Sequence, residues 1–188
     1  MDTVANQFSY LELIVPELQD YLLSESIYYP LVNSGSFNIM NKPILTIGNL
    51  YYSLHILQLE GLSGQDLQKK DKYHKDIDIV RSKWKINWQK KVEKEYNSRL
   101  RLWRNFIFDL DEDIKSSREE YRSQIRHRVL MELLILNDLK GIPDLQDELF
   151  ILDDKYHSFT RSSAFIWDLN IRSVFPKSDY PFLYRMPL

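Results

Sequence analysis

The sequence predicts an all-α fold: about five helices around one long central amphipathic helix, followed by an irregular aromatic C-terminal tail. Three observations carry this. From Asp76 to Leu110, apolar residues recur every three or four positions as Ile77, Val80, Trp84, Trp88, Val92, Tyr96, Leu100, Trp103, Ile107 and Leu110, with no Gly or Pro between them. That is the period of a helix with one buried face. The segments on either side repeat the period and are bounded by capping and breaking residues. From Val174 onward, three prolines and Phe175, Tyr180, Phe182, Leu183, Tyr184 and Met186 follow without helical spacing.

Residues 1–7 are expected to fray. From Phe8 to Leu23 the positions Leu11, Ile14, Val15, Leu18, Tyr21 and Leu22 spell a helix. Pro16 must kink it or divide it, because proline removes a donor and crowds the preceding turn. Ser24 to Lys42 reads as a loop, with Pro30, Asn33, Ser34, Gly35 and Ser36 as turn formers. Thr46 is placed to cap a helix over Ile47–Leu57, and Gly61 suits its C-terminal end. Ser63 caps the next segment, whose start, Gln65 to Lys75, is so charged that it is expected to be solvated or frayed. The central helix follows.

Asp109 to Ser117 reads as a polar connector. Ser116 or Ser117 then caps a helix that runs to about Leu139 and folds back antiparallel on the central one. Gly141 ends it and Pro143 prevents its continuation. A further helix covers Leu145 to Phe159, and Ser162 to Ile171 fits a short strand or a short helix equally well. Residues 174–188 form the extended tail of what the length of 188 residues suggests is a single helical domain, 1–188.

A central helix of this length would measure roughly 50 Å, against a diameter of roughly 40 Å for a compact chain of this size. The molecule is therefore elongated, the helix is broken, or a second chain covers the excess, which keeps a homo-oligomer open. Successive steps of four also carry the stripe round the helix between Trp84 and Leu100, so its parts must face different neighbours.

The N-terminus shows neither a basic segment nor an apolar run of the signal-peptide kind. The longest apolar stretch, Val129 to Leu136, contains Glu132 and falls far short of the ~20 residues that a membrane span needs. There is no cysteine, so no disulfide and no thiolate zinc site can form. The expectation is a soluble cytoplasmic protein.

Net charge is only -2, but Arg81 to Arg104 holds nine basic residues against two glutamates. Within it, Lys83, Asn87, Lys90, Lys94, Asn97, Arg101 and Arg104 form a polar ridge opposite the tryptophans. A basic ridge of this kind is solvated, meets an acidic protein, or contacts phosphates of a nucleic acid. Stacking on bases would need the tryptophans on the same face, and a pI near 6.1 argues against a dedicated nucleic-acid domain. Glu95 and Arg99, four apart, are spaced for a helical ion pair.

Asp109, Asp111, Asp113 and Glu120 stand at positions 1, 3, 5 and 12 of the connector, the acidic spacing of an EF-hand calcium loop. Ile114 stands where that loop turns on glycine, and Ser116 where it carries an aliphatic residue. Calcium is the one metal the pattern suggests. The four histidines, His55, His74, His127 and His157, have no ligand spacing, and there is no phosphate-binding Gly-rich loop and no Gly-x-Ser-x-Gly elbow. The sequence thus names no cofactor and no catalytic residue. The tail residues Tyr180, Phe182 and Tyr184 are of types that interfaces favour, and they either dock on a partner or seal their own core.

These features point to a non-catalytic protein–protein interaction protein, a scaffold or accessory subunit of a larger assembly. Its candidate contact residues are Lys83, Lys90, Lys94, Arg101, Arg104, Tyr180, Phe182 and Tyr184. A nucleic-acid-binding accessory protein using the same basic face is the alternative, and an enzyme of unknown type the third class.

Overall fold

The computed structural model describes residues 3–31, 43–112, 114–140 and 147–188; for 111–119 within these ranges it describes the helical backbone and not the side chains. The described chain is 72% helical, with only short antiparallel strands and a long central helix, as the periodicity predicts. Two compact units divide it, Met1–Glu95 and Tyr96–Leu188.

In the first unit, α1 (Val4–Ile14) starts where the Thr3 side chain accepts from the Asn6 N–H. This N-cap satisfies one of the free donors of the first turn, so residues 4–7 are helical, which corrects the fraying expected of them. Pro16 divides the segment as anticipated, and α2 (Leu18–Leu23) follows after one turn. Two residue pairs, β1 (Tyr29–Pro30) and β2 (Ile44–Leu45), lie antiparallel, with Tyr29 opposite Leu45. The expected turn at Asn33–Ser36 lies outside the described residues.

Thr46 caps α3 (Ile47–Ile56), accepting from Asn49 N–H at 3.0 Å. Leu11 and Ile14 of α1 and Leu50 of α3 are buried as these two helices pack together, and Ser53 Oγ donates to the buried Gln7 Oε1 at 2.8 Å. Gly61 takes φ +85°, the left-handed turn that a side chain would strain.

Ser63 and Asp66 then form a reciprocal capping box at the start of α4 (Gly64–Lys83). The box holds this charged segment helical from its first residue, so of the two expected states, solvated or frayed, it takes the solvated one, with Ile77 as its buried residue.

The central helix is not continuous. It breaks at Trp84 (φ -115°, ψ 36°), and α5 runs from Lys85 to Glu112. No Gly or Pro marks the break. The ladder survives on both sides, with Trp84 N–H on Val80 O and Trp88 N–H on Trp84 O at 2.9 Å each. What distinguishes the position is Gln19 of α2, whose Oε1 accepts from both Lys83 Nζ and Trp84 Nε1 at 3.4 Å. Trp88 and Val92 of α5 are buried in the first unit, where Trp88 meets Tyr51 edge-on at 6.2 Å.

The second unit takes α5 from Tyr96 onward, α6 (Ile114–Leu134) with a π-turn over Ile135–Leu139, and α7 (Asp147–Ser158). The expected connector at Asp109–Ser117 is helical up to Glu112 and again from Ile114, so Ser116 and Ser117 sit within α6 rather than cap it. Its acidic residues include no Gly or Pro that would stop a helix. Phe106 meets Tyr121 and Arg99 meets His127. Contacts that widen in sequence in this way make α5 and α6 antiparallel. Gly141 and Pro143 lie outside the described residues.

After α7 the chain forms β3 (Thr160–Ser162), a 3-10 turn over Leu169–Val174, a second over Pro181–Tyr184, and β4 (Arg185–Pro187). The two strands pair antiparallel with Arg161 opposite Met186. No described helix is long and apolar enough to cross a membrane.

Candidate functional site

The two faces of α5 do different things. Its inner face in the first unit carries two buried charges one turn apart. Lys91 Nζ donates to Ser24 O (2.8 Å), Ser24 Oγ (3.2 Å) and Ser26 O (2.6 Å), and lies 4.5 Å from the centre of the Tyr21 ring. Burial, then the neighbouring Lys94, lowers its pKa. Glu95 accepts from the Gly48 N–H at 3.0 Å, at the first turn of α3.

The outer face holds the predicted basic residues. In the first unit, Lys83, Lys90 and Lys94 are exposed. Lys83 lies 5.5 Å from the Trp84 ring, and Lys94 reaches Glu25 at 3.6 Å. Among the described residues no carboxylate pairs with Lys83 or Lys90. In the second unit, Arg101 is exposed, whereas Arg104 is tied to Glu148. Arg104 is thus an internal link between α5 and α7, and this corrects its place among free cations. The sequence could not show it, since the two residues lie 44 positions apart.

Two apolar residues that the sequence reading passed over stand beside these lysines. Ile79 is 66% exposed and Ile86 is 71% exposed. Ile79 also lines a groove of about 520 Å³ with Val15, Pro16, Tyr73 and Val80, rimmed by Glu12 and the Lys72–Asp76 pair at 3.1 Å. The signal was available for the isoleucines, which lie off the apolar stripe among charged residues. Nothing local marks Val15 and Pro16 as groove residues, since they reach it from the turn between α1 and α2.

The aromatic tail is not a free surface. Tyr180, Phe182 and Tyr184 are 2%, 4% and 6% exposed. Their assignment to partner binding is corrected by this burial: the tail closes its own unit. Tyr156 Oη donates to Phe182 O at 2.9 Å, Tyr121 Oη to Arg185 O at 2.7 Å, and Tyr184 Oη to Phe175 O at 2.9 Å. The Tyr121 and Tyr156 hydroxyls also touch each other. Burial pushes the Tyr156 pKa up to about 12 and raises that of Tyr121, so both stay protonated and serve as donors.

An ion network centred on the buried Arg128 lies beside them. Arg128 Nε holds both carboxylate oxygens of Asp153, at 3.1 and 2.9 Å, and its Nη1 holds Glu132 at 2.8 Å. Its guanidinium lies 4.4 Å from the Phe182 ring centre. These three residues, with Asp147 and Phe150, line a cavity of about 410 Å³. Burial raises the Asp153 pKa while Arg128 opposes it. With Asp153 and Glu132 both engaged by Arg128, the network links α6 to α7.

Of the calcium candidates, Asp109 lies on α5 and Glu120 on α6, Asp113 lies outside the described residues, and for Asp111 the backbone alone is described. Among the described residues no group of three or more His, Asp or Glu is placed to hold a metal ion. His127 is packed against Arg99 Nη1 at 3.3 Å. Burial, then Arg99 and Arg126, lowers its pKa to about 4. Comparison of the chain with models of known families, with characterised proteins and with solved structures finds no match.

Proposed function

We propose that this protein is a non-catalytic interaction protein, an accessory subunit that binds an acidic segment of a partner through its first unit. The observation that carries the reading is the alternation of exposed Ile79 and Ile86 with the exposed Lys83 and Lys90, which meet no carboxylate among the described residues, along α4 and α5. Exposed isoleucines gain by burial, at about 25 cal/mol per Å². Flanking lysines select a negatively charged partner and speed its approach. The groove at Ile79 offers an adjoining apolar seat.

The test is affinity purification of the full chain from its native host, with and without nuclease, for the wild type and for Ile86→Asp and Lys90→Glu. A protein that co-purifies with the wild type, survives nuclease and is lost from both variants supports the reading. Recovery that nuclease abolishes would transfer the basic face to a nucleic acid. A set of co-purifying species unchanged by both substitutions would overturn the proposal.

A further inference from the structure

The second unit contains a cleft of about 750 Å³ between the β3 end and the 3-10 turn at Leu169–Val174. Its size lies within the range of small-molecule sites. Phe165, Leu169 and Tyr184 supply apolar walls, while Arg172, Lys177 and Ser173 supply polar groups. No carboxylate lines it. Among the described residues, Arg172 and Lys177 have no ion-pair partner and Ser173 Oγ makes no hydrogen bond. Arg172 is positioned by the Tyr184 ring, whose centre lies 6.0 Å from its guanidinium carbon.

We propose that this cleft binds a small organic phosphate monoester that carries an apolar body. Two cations on a wall without acids match the two charges of such a group. The planar Arg172 guanidinium presents paired donors to phosphate oxygens, Lys177 adds a point charge, and Ser173 Oγ is a further donor. The apolar walls take the rest of the ligand. The site rests on none of the residues assigned to partner binding in the first unit, so either proposal can fail without the other.

The test is calorimetric titration of the full chain with phenyl phosphate, with inorganic phosphate and benzyl alcohol as comparison probes. The expected result is saturable binding of phenyl phosphate that weakens with salt, with benzyl alcohol bound much more weakly. Arg172→Ala and Lys177→Ala should each weaken it by about tenfold or more, the loss of a charge-assisted hydrogen bond. Leu169→Ala should weaken phenyl phosphate and leave inorganic phosphate unchanged. No saturable binding, equal affinity in the wild type and Lys177→Ala, or benzyl alcohol binding as well as phenyl phosphate would each overturn the proposal. Lys177 touches no described ring or carboxylate, so its variant decides the matter even if Arg172→Ala loosens Tyr184.

Discussion

Lys91 and Glu95, one turn apart on α5, close opposite ends of two other helices. Lys91 donates to Ser24 O and Ser26 O, where α2 ends, and Glu95 accepts from Gly48 N–H, where α3 begins. Each charge opposes the partial charge of the helix end it meets, a cation at a C-terminus and an anion at an N-terminus. Both also satisfy backbone groups that the helices leave unpaired. One helical turn of α5 thereby holds both the end of α2 and the start of α3.

Glu95→Ala should lower the stability of the first unit by about 2 kcal/mol, since it strands a buried N–H and removes the charge from the α3 end. Glu95→Gln keeps an acceptor for Gly48 and should cost markedly less. Urea unfolding followed by the fluorescence of the tryptophans measures both. Equal losses in the two variants would mean that the bond to Gly48 does not matter.

Arg128→Met should destabilise the second unit by about 2 kcal/mol, because the half-buried Asp153 and Glu132 would lose their shared cation. The triple variant that also carries Asp153→Asn and Glu132→Gln should recover part of the loss. Thermal unfolding of the three proteins at neutral pH checks this.

His127 makes stability depend on pH. Its native pKa, about 4, lies below the unfolded value of 6.5, so between these limits the unfolded chain binds the extra proton. Its contribution is present above pH 6.5 and is lost as pH falls toward 4, to a total of about 2 kcal/mol after allowance for its partial exposure. His127→Gln should flatten the stability profile over that window and leave the region above pH 7 unchanged. Chemical unfolding at half-unit pH steps reads the difference.

The C-terminal tail is a structural element of the second unit. Deleting residues 174–188 removes Phe175, Tyr180, Phe182 and Leu183 from the core and strips β3 of its partner. The cooperative transition of that unit should disappear in circular dichroism melts. Tyr156→Phe, which loses only the hydroxyl bonded to Phe182 O, should cost about 1 kcal/mol. A deletion variant that melts like the full chain would sink this assignment.

Ile86→Asp and Lys90→Glu, both at exposed positions, should leave thermal stability within about 0.5 kcal/mol of the wild type. A larger change would mean that the outer face of α5 is part of the core, and binding data from these variants would then have to be set aside.

The sequence by itself determined the all-α class, the caps at Thr46 and Ser63, the division at Pro16 and the buried stripe from Trp88 to Leu110. Each depends on residues within a turn or two of one another, where periodicity and side-chain chemistry act directly on the local backbone. It also showed that the stripe must serve more than one neighbour: Trp88 packs on Tyr51 in the first unit and Trp103 on Tyr156 in the second. Only the tertiary structure decided the break at Trp84, the capture of Arg104 by Glu148, the burial of the aromatic tail and the basic cleft at Arg172. These depend on pairs such as Arg104 and Glu148, or Lys83 and Gln19, which lie far apart in the chain. A charge or a ring has the same local signature whether it meets water or a distant partner, and packing alone selects between the two.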